Sequence, residues 1–183
     1  MNKTQLLSYL ERIDSSLSQK TELVVYGSAA FILLGEEDRT SVDVDVAAPY
    51  SQADYPDLQQ AATQAGLPIN PDAPEPGEHI EWISSLRLCL SPPQPATEIV
   101  LWRGRKLTVK TVSPDELIAS KLIRYDDIDQ SDIQFLCAQR AVDWRRVEAA
   151  VEALPEPFKH DPLIRDNLHN LKQDMAIWKG ESA

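Results

Sequence analysis

Two aspartates one residue apart, Asp43 and Asp45, lie in the run Val42-Asp43-Val44-Asp45-Val46. Extended as a strand, this run sends both carboxylates to one face, with Cβ atoms about 6.5 Å apart from the strand rise. Two carboxylates set among valines repel each other and lose hydration, at a cost on the order of several kcal/mol, unless they share a cation. That spacing suits a divalent metal. Mg²⁺ (or Mn²⁺) is the natural choice, because it takes hard oxygen ligands and leaves positions open for phosphate oxygens. Upstream, Leu23 to Tyr26 has strand character, Ala29 to Leu34 suits a buried helix, and Gly27-Ser28 joins them. A strand entering a helix through Gly-Ser presents backbone N–H groups and a hydroxyl, which favours a phosphate there. The plainer reading of Val-Asp-Val-Asp-Val is an amphipathic strand with one wet face.

A Gly-Ser at a strand-to-helix turn followed by Asp-x-Asp on a strand, here Gly27-Ser28 and Asp43-Val44-Asp45, resembles the nucleotidyltransferase superfamily that includes DNA polymerase beta. Further along, Leu117-x-x-x-Lys121-Leu122 and then Asp129-x-x-Asp132 ahead of Phe135-Leu136 are similar to the AbiEii-type branch, the toxin-like enzymes of bacterial abortive-infection and toxin–antitoxin operons. The resemblance spans residues 20–140. It implies transfer of a nucleoside monophosphate from an NTP to an RNA (tRNA-like) or protein acceptor, with Mg²⁺ or Mn²⁺ on Asp43 and Asp45 and a cognate antitoxin as partner. By the same resemblance Gly27 and Ser28 meet the nucleotide, Lys121 holds its phosphates, and Asp129 or Asp132 completes the site from a helical lobe. Arg39, just ahead of the Asp-x-Asp strand, either meets substrate phosphate or caps the loop.

Active members of the superfamily place a third acid on a later strand. The choices here are Glu98 and Glu81, of which Glu98, in Thr-Glu-Ile-Val-Leu, is the better fit. The alternative to an enzyme is a catalytically weak relative that keeps the fold to bind nucleotide or a protein partner. For Lys121 the alternative is a snorkelling surface lysine, which adds little to stability.

The elements that must position these residues follow from hydrophobic spacing. Leu6, Leu7, Leu10, Ile13 and Leu17 predict an amphipathic helix over residues 3–18, and Leu58, Ala61, Ala62 and Ala65 a second helix from Asp54 to Ala65. Pro68 to Gly77 reads as a surface loop, and Ile80 to Leu90 has strand character. Glu98 to Trp102 and Leu107 to Val112 read as strands joined by an Arg103–Lys106 hairpin turn. From Ser113 every signal is helical. Ser113, Pro114 and Glu116 form a capping box, Asp143 caps another helix that Pro155 ends, and Asp161-Pro162 starts the last. The expected fold is α+β: a nucleotidyltransferase-like mixed sheet flanked by helices over residues 1–112, with a helical lobe over residues 113–183.

A formal net charge of −11 argues against broad nucleic-acid binding, which rests on many Lys and Arg phosphate contacts. Arg103, Arg105 and Lys106, or Arg140, Arg145 and Arg146, remain as local basic clusters, with solvated charge as the default reading. No apolar run reaches the length of a membrane span and the N-terminus lacks signal-peptide character, so a soluble, cytoplasmic protein is expected. Cys89 and Cys137 read as core thiols, and His79, His160 and His169 lack metal-site spacing.

Overall fold

The computed structural model describes residues 1–36, 38–73 and 77–178. The chain forms two compact units, one of Met1–Leu88 and Pro93–Val112, the other of Cys89–Pro92 and Ser113–Ala183. It is α+β, with a five-stranded mixed sheet in the first unit and helices in the second.

In the first unit the order is α1 (Lys3–Ser16), β1 (Thr21–Tyr26), α2 (Gly27–Leu34), β2 (Asp43–Ala47), α3 (Tyr55–Ala65), β3 (His79–Ile83), β4 (Ile99–Arg103) and β5 (Leu107–Thr111). The strands lie side by side as β3-β2-β1-β5-β4. β1 pairs antiparallel with β2 and parallel with β5, β2 pairs parallel with β3, and β4 with β5 forms the antiparallel hairpin. Leu6, Leu10, Ile13 and Leu17 of the first helical stripe are buried with Leu58, Ala61, Ala62 and Ala65 of α3 against Leu23, Val25, Val44, Val46, Ile80, Leu107 and Val109 of the sheet. On β2 and β5 these apolar positions alternate with polar ones, so the period-2 and period-3.6 patterns meet on one core.

Two expectations are corrected in this unit. The strand after the proline-rich loop stops at Ile83, well short of Leu90, because Ser84 to Arg87 forms a turn closed by the Arg87 N–H donating to the Ser84 carbonyl at 3.0 Å. The segment from Pro68 is also more than a surface loop. Ile69 is buried, and the Asn70 side chain accepts from the Trp82 N–H at 2.8 Å, so this stretch runs along the outer edge of β3. Residues 74–76 of that loop lie outside the described residues.

The β4–β5 turn is held by an acid from α1. Asp14 Oδ1 accepts from the N–H groups of Lys106 at 2.7 Å and Leu107 at 2.8 Å, and Oδ2 accepts from that of Arg105 at 3.1 Å. The approach requires Gly104, since a Cβ there would lie 2.4 Å from Asp14 Cγ. Burial pushes the Asp14 carboxyl up, but the Leu107, Lys106 and Arg105 N–H groups outweigh burial and hold it below the usual carboxylate value. A depressed folded-state value stabilises above the unfolded value and is lost as pH falls through the folded one. Asp14→Asn should therefore cost about 2 kcal/mol at pH 7, the scale of charge-assisted hydrogen bonds to a buried acceptor, with the gap to wild type closing below about pH 4. Urea denaturation at pH 7 and pH 3 measures this; an equal gap at both would contradict it.

The second unit holds α4 (Pro114–Lys121), α5 (Asp127–Gln139), α6 (Trp144–Glu152) and α7 (Pro162–Trp178), of which α4, α6 and α7 begin where the start signals place them. Ser113 and Glu116 complete the reciprocal capping box of α4, and Asp126 and Asp143 cap α5 and α6. α7 is tied back by Asn167 Nδ2 donating to the Leu122 carbonyl at 2.8 Å and by the Tyr125 hydroxyl donating to Asp174 Oδ2 at 2.6 Å. Among the described residues no strand follows Thr111, and no helix is long and apolar enough to cross a membrane. Neither cysteine is in a disulfide; burial pushes the thiol of Cys89 up to about 12, which leaves it a poor nucleophile, and Cys137 is half-buried.

Candidate metal centre

β1 runs directly into α2 at Gly27, with no intervening loop. Gly27 has φ +63°, and a Cβ there would lie 2.0 Å from Asp45 Oδ2. Glycine is thus required twice at this position, by the left-handed backbone and by the carboxylate pressed against it. The antiparallel register explains the closeness: Tyr26, the residue before Gly27, is the partner of Asp45.

On β2, Val44 and Val46 are buried while Asp43 and Asp45 are half-buried on the opposite face, as the alternation predicts. The parallel register of β2 with β3 sets Glu81 opposite Asp45 and His79 opposite Asp43. Neighbouring strands are about 4.8 Å apart, so a like-facing acid on β3 brings its carboxylate beside those of β2. Asp43, Asp45 and Glu81 each offer one oxygen, and these oxygens lie within 4.8 Å of one another. Ser41 Oγ donates to Asp43 Oδ1 at 2.9 Å, and Arg87 Nη2 to Glu81 Oε1 at 2.8 Å. Three half-buried carboxylates at this separation form a hard-oxygen donor set of the kind Mg²⁺ or Mn²⁺ takes.

The acid that the fold sets beside Asp43 and Asp45 is therefore Glu81 and not Glu98. Glu98 precedes β4, at the far edge of the sheet from β3, and pairs with Lys110 at 3.5 Å, which also takes Glu22 at 2.6 Å. A sequence signal for Glu81 did exist: Ile80-Glu81-Trp82 repeats the apolar-acid-apolar pattern of Val44-Asp45-Val46. Which acid faces the pair depends on strand order and register.

Ser28 and Arg39 meet, Arg39 Nη2 donating to Ser28 Oγ at 2.9 Å. Tyr26, at the cap position of α2, contributes no side-chain cap to the first-turn N–H groups. A hydroxyl, a guanidinium and helix-start N–H groups thus stand together on the turn whose first residue touches Asp45.

Lys121, Asp129 and Asp132 come together within the second unit. Lys121 Nζ donates to Asp129 Oδ1 at 3.0 Å and to Asp132 Oδ2 at 2.6 Å. Lys121 is 7% exposed, Asp129 1% and Asp132 0%, so the snorkelling reading is overturned. Arg124 grips Asp129 with two bonds of 3.0 and 2.9 Å. Burial pushes the Asp129 carboxyl up, but Arg124 and Lys121 outweigh burial and hold it below its usual value.

Comparison of the chain with protein-family models, with curated proteins and with solved structures finds no match.

Proposed function

We propose that this chain is a divalent-metal-dependent nucleotidyltransferase that moves a nucleoside monophosphate from an NTP to a hydroxyl of an RNA or protein acceptor. The observation that supports this reading most is the convergence of Asp43, Asp45 and Glu81 against Gly27, at the start of the helix that carries Ser28. Asp43, Asp45 and Glu81 would hold Mg²⁺ or Mn²⁺, which when bound neutralises charge on the phosphates and polarises the phosphorus under attack. Ser28, the first-turn N–H groups of α2 and Arg39 bind the phosphate tail and orient it. The acceptor oxygen bonds to the α-phosphorus, the bond to the bridging oxygen breaks, pyrophosphate leaves, and the acceptor proton passes to a carboxylate of the group.

The toxin-like branch, its antitoxin partner and a cytoplasmic setting belong to the same proposal and rest on the resemblance of Lys121-Leu122, Asp129 and Asp132. Their mutual pairing also supports a stabilising role for these residues in the second unit. The net charge of −11 favours an acceptor met through a local surface over general nucleic-acid binding.

The test is to incubate the purified chain with Mg²⁺ or Mn²⁺, each NTP labelled at the α-phosphate in turn, and total RNA or cell lysate. Label should enter one class of macromolecule from a preferred NTP, and EDTA should abolish it. Metal-dependent nucleotide binding without transfer would favour the binding-only relative; neither binding nor transfer would end the proposal.

A further inference from the structure

Glu81 is held by Arg87, whose Nη2 lies 2.8 Å from Glu81 Oε1. The tip of the turn that carries the arginine is open, with Leu86 85% exposed, and the Arg87 side chain is itself 71% exposed against 27% for Glu81. An exposed ion pair of this kind adds little to stability, so it separates at small cost. A divalent cation shared among three carboxylates competes well for Glu81 against one solvated monovalent group. Once the cation is there, it and the guanidinium repel each other. The released group is a planar fork of donors that matches phosphate oxygens two at a time, and its turn keeps it within a side chain's reach of the carboxylates.

We propose that Arg87 is a phosphate-binding residue of this site, stored on Glu81 until a divalent cation takes that carboxylate and then available to the triphosphate of the nucleotide. The inference rests on the nucleotidyltransferase reading of Asp43, Asp45 and Glu81. It makes metal loading and nucleotide capture successive uses of one ion pair.

The test measures Mn²⁺ binding alone by electron paramagnetic resonance, and binding of an α,β-methylene NTP analogue with Mg²⁺ by calorimetry, in wild type, Arg87→Ala and Arg87→Lys. Arg87→Ala should bind Mn²⁺ at least as tightly as wild type yet bind the analogue about tenfold or more weakly, the scale of one lost charge-assisted hydrogen bond. Arg87→Lys should recover part of the analogue binding, because it keeps the charge and loses the fork. Analogue affinity within about threefold of wild type in Arg87→Ala would overturn the proposal, being too small for a lost charged contact. Weakened Mn²⁺ binding would overturn it as well, since Arg87 would then merely orient Glu81. A wild-type chain that binds no Mn²⁺ would remove the metal reading itself, and this inference with it.

Discussion

Replacing Asp43 and Asp45 together by asparagine should, on the proposed function, lower metal-dependent transfer by about 1000-fold or more, since it removes two of the three carboxylates that would hold the metal. The same change should leave the metal-free protein more stable. Carboxylate oxygens within 4.8 Å of each other repel, and neutral amides do not. At that distance one such repulsion is worth about 1 kcal/mol even with the full screening of bulk water. The thermal shift on adding ligand should therefore disappear. Wild type should melt higher with Mg²⁺ and NTP, by about 2.7 kcal/mol of added stability when ligand is 100 times its dissociation constant, whereas the double variant should show no shift from a higher starting point. Calorimetric melting with and without ligand reads both effects. A double variant that keeps the full ligand shift would place the nucleotide site elsewhere.

Lys121→Ala should destabilise the protein by about 3–5 kcal/mol, the usual cost of removing one partner from a buried ion pair. The ammonium lies between Asp129 and Asp132, both essentially without solvent, and its loss leaves two carboxylates facing each other in the helical unit. Arg124 still holds Asp129. A triple variant, Lys121→Met with Asp129→Asn and Asp132→Asn, should recover most of that stability, because removing a whole buried ionic set is often nearly neutral. Urea denaturation reads the difference. A loss below about 1 kcal/mol in Lys121→Ala would mean that the group is solvated, as exposed pairs are. Transfer assayed on the triple variant separates any part these three residues take together in chemistry from their part in folding.

Much of this protein is determined locally by its residues. Helix starts at Ser113 and Asp143 follow from side chains that satisfy backbone N–H groups a few residues away, so they are legible without any distant contact. The common face of Asp43 and Asp45 follows from the two-residue period of a strand, and the turn at Gly27-Ser28 from the need for a left-handed residue between strand and helix. Such features depend on neighbours in the chain, and the sequence is sufficient for them. What it leaves open is everything set by register between distant segments. Glu81 and Glu98 both stand beside apolar residues. Glu81 joins the aspartates because β3 pairs parallel with β2, while Glu98 precedes β4 at the other edge and is taken by Lys110. The burial of Lys121 is equally a tertiary outcome. A lysine on an apolar helix face is ordinarily kept wet, and only the approach of α5, which brings Asp129 and Asp132 to its ammonium, makes a buried position tolerable. Local chemistry sets the elements and two of the site's acids; pairing between strands and between helices decides which charges meet.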